Sequence, residues 1–334
     1  MLQFARFTFT RAFLAMFTLI LVSFIVFSLM ELVPGDCAER YLAFKNTQGS
    51  GISVADIEAE RIRLGLDQPY LTRWVAWIGN AFVGDFGNSC ILRLNIADLL
   101  GEKFYISLGI CLASLLLAYL IAVPAGILSV VSKSKALNNG IRFTSYLGLA
   151  MPNFLLALII MLFSTIMFGD SLTGLFSAEF RDAPWSTERV ADFLSRAWLP
   201  VFILGWSATA FALQTVRALM SDEVGKLYVT AAEARGVTGR RLLWRYPARH
   251  ALGPIINSLG FDLNRIFNEL PIVALILTLT DAGALLIDAL ARSNDQQLAG
   301  AIIFLLTASI VALNFITDII LALTDPRVRR SILG

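Results

Sequence analysis

Charge is what this sequence has least of. Of its 334 residues only 16% are Asp, Glu, Lys or Arg, while 57% are hydrophobic, and the mean hydropathy is +0.71. Soluble domains are nearer a quarter charged, so an ordinary soluble globule is excluded. One histidine, His250, and three cysteines, Cys37, Cys90 and Cys111, leave little from which to build a structural metal site or a thiol-based active site. No Cys-x-x-Cys occurs. A net charge of +2 is too small to argue for nucleic acid. There is no solenoid-type repeat and no low-complexity tract. A nucleotide-binding Gly-x-x-x-x-Gly-Lys-Ser/Thr loop is also missing. Its nearest approach, Gly225-Lys226, has Met220 where the first glycine belongs and Leu227 after the lysine. The chain itself has no catalytic centre.

What is present is a series of long apolar blocks, the mark of a membrane protein rather than of a rich core. Five lack Asp, Glu, Lys and Arg throughout: Ala12–Met30, Phe104–Ser132, Phe143–Gly169, Ala197–Val216 and Gln296–Thr317. Roughly 20 helical residues at 1.5 Å each cross a hydrocarbon core. A sixth candidate, Pro254–Thr280, has apolar flanks around Asp262, Arg265 and Glu269, and Pro254 suits a helix start. The first block follows Arg6 and Arg11 as a secretory signal would. Its length and the lack of a small-x-small cleavage site before Pro34 favour a retained helix.

Six crossings with an inner N-terminus satisfy the positive-inside rule. The inner segments 1–11, 133–142, 217–253 and 324–334 then hold 15 of the 27 Lys and Arg, Arg327, Arg329 and Arg330 among them. The outer segments 33–103, 170–196 and 281–295 are longer and hold 11, mostly offset by acids. Both termini lie in the cytoplasm on this reading. Segment 33–103 is long enough for a small outer subdomain, with turns at Pro34-Gly35 and Gly49-Ser50-Gly51 and a helix from Val54 to Leu64. Cys37 and Cys90 fall in it. An oxidising periplasm permits a disulfide between them, but nothing in the sequence brings them within bonding distance. Cys111 reads as a packing residue of the second span.

The inner stretch "YVTAAEARGVTGRRLLWRYPARHALGP", Tyr228 to Pro254, poses a question: why such a small-residue, basic segment between two spans? Thr230-Ala231-Ala232-Glu233-Ala234 favours a helix. Gly236 permits a left-handed turn, Thr238 can cap a second helix beginning near Arg240, and Pro247 ends or kinks it. One reading is a loop whose Arg240, Arg241, Arg245 and Arg249 touch anionic lipid. Headgroup binding needs charge, however, not this order of small residues, turn and cap. The alternative is that a soluble partner docks here.

In this loop the chain resembles the permease subunits of bacterial ATP-binding-cassette (ABC) importers, in the oligopeptide/dipeptide branch. Ala231, Ala232 and Gly236 match the small-residue positions of that family's "EAA" coupling segment. Tyr228, Val229, Arg240, Arg241, Arg249, Ala251 and Pro254 match the peptide branch. So do "LVPGD" at Leu32–Asp36, "RLGLDQPYLTRWVAWIGNAFVGDFGNS" at Arg63–Ser89 and "DPRVR" at Asp325–Arg329. Thr230 departs from the motif's usual Glu and Cys37 from a common proline. "LTDAGALL" at Leu279–Leu286 only loosely matches the family's Pro-Gly stretch, and these last departures, on the outer side, bear on cargo more than architecture.

The resemblance implies an all-α membrane protein of type I importer fold: six transmembrane helices, a cytoplasmic coupling helix and a periplasmic subdomain between helices 1 and 2. Residues 1–32 would carry the first helix, 33–103 the subdomain and 104–334 a five-helix core with coupling segment 217–253. Thr230, Ala231, Ala232, Glu233, Ala234, Arg235, Gly236, Arg240 and Arg241 would couple to an ATPase. The implied partners are a second permease, two ATPase subunits, a substrate-binding protein and lipid, with ATP and Mg on the ATPases and no cofactor or metal here. The implied place is the bacterial inner membrane.

Asp262, Arg265 and Glu269, spaced by three and four, share one helix face near mid-bilayer. A lone charge there costs about 2.5–3.5 kcal/mol on insertion scales. Either these residues line the translocation pathway, as a gate, or they form an intramolecular network that fixes helix packing. His250 reads as a structural or headgroup residue. Trp74, Trp77, Trp185 and Trp198 read as interfacial anchors. Another cargo (nickel chelate, opine, sugar or polyamine) fits the same fold. An ion-coupled secondary transporter would use the midplane charges, but such proteins often show inverted repeats, which are not evident here. A membrane scaffold would not need those charges.

Overall fold

The computed structural model describes residues 2–32, 34–47, 53–169 and 172–324. The expected turn at Gly49-Ser50-Gly51 and the "DPRVR" tail with Arg327, Arg329 and Arg330 lie outside them. Among the described residues the chain is helical, with one isolated bridge between Asn88 and Asn95. The α-helices are α1 (Leu2–Leu32), α2 (Cys37–Thr47), α3 (Val54–Arg63), α4 (Tyr70–Phe82), α5 (Ile96–Val131), α6 (Lys135–Ala150) and α7 (Asn153–Phe168). They continue with α8 (Thr187–Val224), α9 (Leu227–Ala234), α10 (Gly239–Arg245), α11 (Pro247–Ile276), α12 (Ala282–Ile287) and α13 (Gln296–Thr324), a π-turn at Asp288–Arg292 preceding the last.

Among the described residues four helical stretches are long and apolar enough to cross a membrane: Phe4–Leu32, Ile96–Val131, Thr187–Val224 and Gln296–Leu323. The expected span Phe143–Gly169 is not one straight helix. It breaks into α6 and α7, bent by 98°. Met151 is extended, with φ −102° and ψ 113°, because Pro152 disfavours helix in the residue before it. The bent pair makes a fifth candidate. Helix α11 is long enough, but its central Asp, Arg, Glu and Asn residues keep it outside this count. It begins at Pro247, in the first turn, where the missing N–H is harmless. Pro254, read from sequence as the helix start, lies within it.

By contacts the described residues form two compact units. The first draws on Met1–Arg11, Leu108–Leu279 and Leu313–Gly334. Here α8 packs on α6 and, most extensively, on α11. Small residues let the helices close: a Cβ on Gly126 would stand 2.7 Å from Val216 Cγ1, and one on Gly148 2.7 Å from Ala210 Cβ. With little hydrophobic drive between helices in lipid, such close approach supplies packing energy. Arg11 pairs with Asp318 at 3.2 Å.

The second unit draws on Ala12–Ser107 and Thr280–Ala312. Ser53 and Asp56 form a reciprocal capping box that starts α3. Cys37 and Cys90 are joined, Cα–Cα 5.3 Å. Around them Arg61 binds Asp36 and Glu39, and Arg40 donates to the carbonyls of Gly35 (3.0 Å) and Asn294 (2.6 Å). Asp295 accepts from the Ser89 hydroxyl and caps α13 through the Leu298 N–H at 3.1 Å. Glu60 lies between Arg63 and Arg93, and the Arg63 hydrogen bond, then Arg93, holds its carboxyl below the usual range. Trp77 is not an interfacial anchor. It is buried, 8% exposed, between Phe27 of α1 and Phe304 of α13. Trp185 and Trp198 are exposed.

Candidate coupling segment and the charged face of helix 11

Helix α9 is built to stop where it does. The Gly236 N–H bonds the Glu233 carbonyl at 2.8 Å and the Val237 N–H bonds the Ala232 carbonyl at 3.2 Å. With Gly236 at φ +82°, this is the paired bonding of a Schellman ending, in which glycine supplies the left-handed residue without a Cβ clash. Val237 then packs on a small core of Val229, Ala232 and Leu242, with Tyr228 and Tyr246. Two short helices that would be marginal alone are thereby held as one piece.

That core divides the sequence-singled residues. Ala232 faces inward, wholly buried, whereas Thr230, Ala231, Glu233, Ala234, Arg235 and Gly236 are exposed. Leu227, at the start of α9, is 88% exposed, an apolar side chain without cover on this chain. The segment is tied to its neighbours: Glu223 at the end of α8 binds both Lys226 and the Tyr228 hydroxyl, and the Tyr228 ring meets His250 edge-on at 4.9 Å. His250 therefore has a packing partner on α9. Arg240, Arg241, Arg245 and Arg249 are all exposed. Thr238 occupies the cap position of α10, but its side chain makes no capping hydrogen bond, so that expectation fails in its chemistry. Pro247 opens α11 after Tyr246 rather than kinking α10.

On α11 the three charged residues meet different neighbours. Asp262 is 1% exposed and accepts a 2.5 Å hydrogen bond from the Tyr119 hydroxyl of α5, which also contacts Ser258 Oγ at 2.7 Å. The half-buried Arg265 guanidinium lies 4.1 Å from the Phe211 ring centre of α8, a cation–π contact. Among the described residues Arg265 makes no ion pair within 4.0 Å. One Glu269 oxygen receives a long 3.5 Å contact from Ser207; the other, buried, has no hydrogen-bond partner. No direct salt-bridge network therefore joins the three. Asn264 and Asn268 are exposed beside them.

Tyr119, Ser207, Phe211 and Ser258 were not singled out by sequence. Tyr119 carried a usable signal, a phenol near the middle of a largely apolar span. No group of three or more His, Cys, Asp or Glu that could hold a metal ion occurs among the described residues.

Comparison with known proteins agrees with this architecture. Residues 122–330 match the family described as "Binding-protein-dependent transport system inner membrane component", and residues 2–98 match its N-terminal companion. The oligopeptide transport system permease protein AppB of Bacillus subtilis is 29% identical over 308 residues, covering 92% of this chain and 94% of AppB. The glutathione transport system permease protein GsiC of Escherichia coli is 27% identical over 312 residues, 93% of this chain and 95% of GsiC. Among solved structures, an inward-facing form of the MetNI methionine ABC transporter aligns with TM-score 0.54 at 15% identity, over 68% of this chain and 96% of that one. That likeness shows the type I importer permease fold. Members of the family work with ATPase subunits and substrate-binding proteins, and hydrolysis belongs to the ATPases. The chain therefore belongs to the family of inner-membrane components of binding-protein-dependent transport systems, the multi-pass permease subunits of ABC importers.

Proposed function

We propose that this permease imports oligopeptides or dipeptides, forming half of the translocation pathway beside a second, homologous permease. Of two ATPase subunits, which carry ATP and Mg, one docks on α9 of this chain, and a periplasmic binding protein delivers the cargo. The observation that carries the docking is the build of α9: a helix fixed by its own small core, with Leu227, Thr230, Ala231 and Glu233 exposed along it. A rigid piece transmits displacement, whereas a loose basic loop would not. The peptide cargo is supported by the names of the relatives.

Both termini lie in the cytoplasm, with α1, α5, the bent pair α6 and α7, α8, α11 and α13 as the six crossings. Residues 33–103 form the periplasmic subdomain, where the Cys37–Cys90 bond suits an oxidising compartment. Asp262, Arg265 and Glu269 stand beside the pathway. Of the three, Arg265 and Glu269 keep unmet electrostatic capacity for a gate, while Asp262 holds α11 to α5.

Cargo is tested by reconstituting the complete importer with its own binding protein in liposomes. Radiolabelled peptide should enter with ATP, and unlabelled peptides should suppress its entry. Suppression by a nickel chelate, opine, sugar or polyamine but not by peptide would assign the same permease to that other cargo.

A further inference from the structure

Helix α4 is too short to cross a bilayer, yet it is not dressed as a water-facing helix. Its 13 residues, YLTRWVAWIGNAF, contain one charge, Arg73, and that side chain reaches to α1 in a two-point pair with Glu31, both contacts 2.7 Å. Apolar stretches of about 10–14 residues suit re-entrant or interfacial segments. In the same unit α3 has the opposite dress, with Glu58 and Arg63 exposed.

The depth of α4 follows from what it touches. The Tyr70 hydroxyl meets Ser28 Oγ at 2.6 Å, the Trp74 N–H donates to Ser23 Oγ at 3.2 Å, and Phe24 lies edge-on to both rings at 5.9 and 5.3 Å. Residues 23 to 28 sit about 6–14 Å inside the C-terminal end of α1. At 31 residues α1 is about 46 Å long, close to the roughly 40–45 Å of a bilayer with its headgroups. A second span gives the same level: Trp77 packs on Phe304, about 12 Å into α13. Two crossing helices thus independently set α4 below the headgroups, while the Arg73–Glu31 pair marks the polar edge above it.

Tyr70, Arg73 and Trp74 turn their polar ends onto α1. What remains on the far side is uncharged, with Leu71 61%, Val75 58% and Phe82 52% exposed. We propose that α4 is a half-inserted interfacial helix whose outward face, Leu71, Val75 and Phe82, is covered by lipid acyl chains of the leaflet at the C-terminal end of α1. It pins the subdomain that follows α1 to the membrane surface, independently of any binding protein.

The test is nitroxide accessibility in the complete importer in lipid nanodiscs. Labels are placed by Val75→Cys and, separately, Leu71→Cys. Phe17→Cys on the lipid face of α1 and Glu58→Cys on α3 serve as references. Cys37 and Cys90 are bonded and Cys111 is buried, so the unsubstituted chain gives the background. At positions 75 and 71 dissolved oxygen should reach the label more readily than a water-soluble nickel chelate does, as at 17 and opposite to 58. Equal or reversed accessibility would overturn the proposal by placing the face in water. Protection from both reagents would overturn it by placing a protein partner there.

Discussion

Gly236→Trp is expected to reduce uptake to background while the chain still reaches the membrane at its normal level. Two effects act together. At φ +82° a side chain is strained whatever space surrounds it, and replacing a left-handed glycine costs about 1 kcal/mol or more. A Cβ added there would meet no atom within 4 Å beyond its chain neighbours, so the indole has room on this chain and instead protrudes from the surface that α9 presents. A bulky group at a docking centre holds the partner's surface away from its contacts, and each 1.4 kcal/mol so lost is about tenfold in affinity. Transport assays with immunoblotting check the result. Gly236→Asn, which tolerates the left-handed backbone, should retain most uptake and so separates fold from surface. Full uptake by the tryptophan variant would remove α9 as the coupling element.

Arg265→Met is expected to lower uptake about tenfold or more with assembly intact. Methionine keeps the length of the stem and its packing on Phe211, so the loss at that ring is limited to the cation–π contribution, about 0.5–2 kcal/mol. The charge between Asp262 and Glu269 disappears, and with it a cation that acts electrostatically on both carboxyl groups. The Glu269 oxygen that lacks a hydrogen-bond partner becomes harder still to accommodate. The measurement is uptake set against the yield of the purified complex. Unchanged uptake would leave the three residues as packing elements, and lost assembly with lost uptake would point the same way.

Much of this was legible in the sequence because it is local. Apolar run length marked the straight spans, the stretch from Val54 to Leu64 read as the helix that α3 is, and Gly236 after an alanine-rich turn marked the end of α9. The fold type was legible through motifs spread along the chain. What failed is also instructive. The break at Met151-Pro152 was present as a proline, but an uncharged run from Phe143 to Gly169 outweighed it, and only the bent backbone reveals a broken helix. Trp77 reads as an interfacial residue from its neighbours in sequence; its burial depends on Phe27 and Phe304, 50 and more than 200 positions away. Asp262, Arg265 and Glu269 share a helical face, yet the different partners of each come from α5 and α8, which no spacing rule on α11 contains. The approach of Cys37 to Cys90 likewise spans 53 residues and needs the fold.

Tyr228–Pro254 is proposed as a docking site for a soluble ATPase rather than a lipid-facing basic loop. Its most direct test is co-purification of the tagged native chain with the products of neighbouring genes in mild detergent, beside Gly236→Trp. An ATPase should come down with the native chain and be lost from the variant. If no ATPase accompanies the native chain while the second permease still does, the docking site is wrong, and the exposed arginines of α10 and α11 belong to the lipid surface instead.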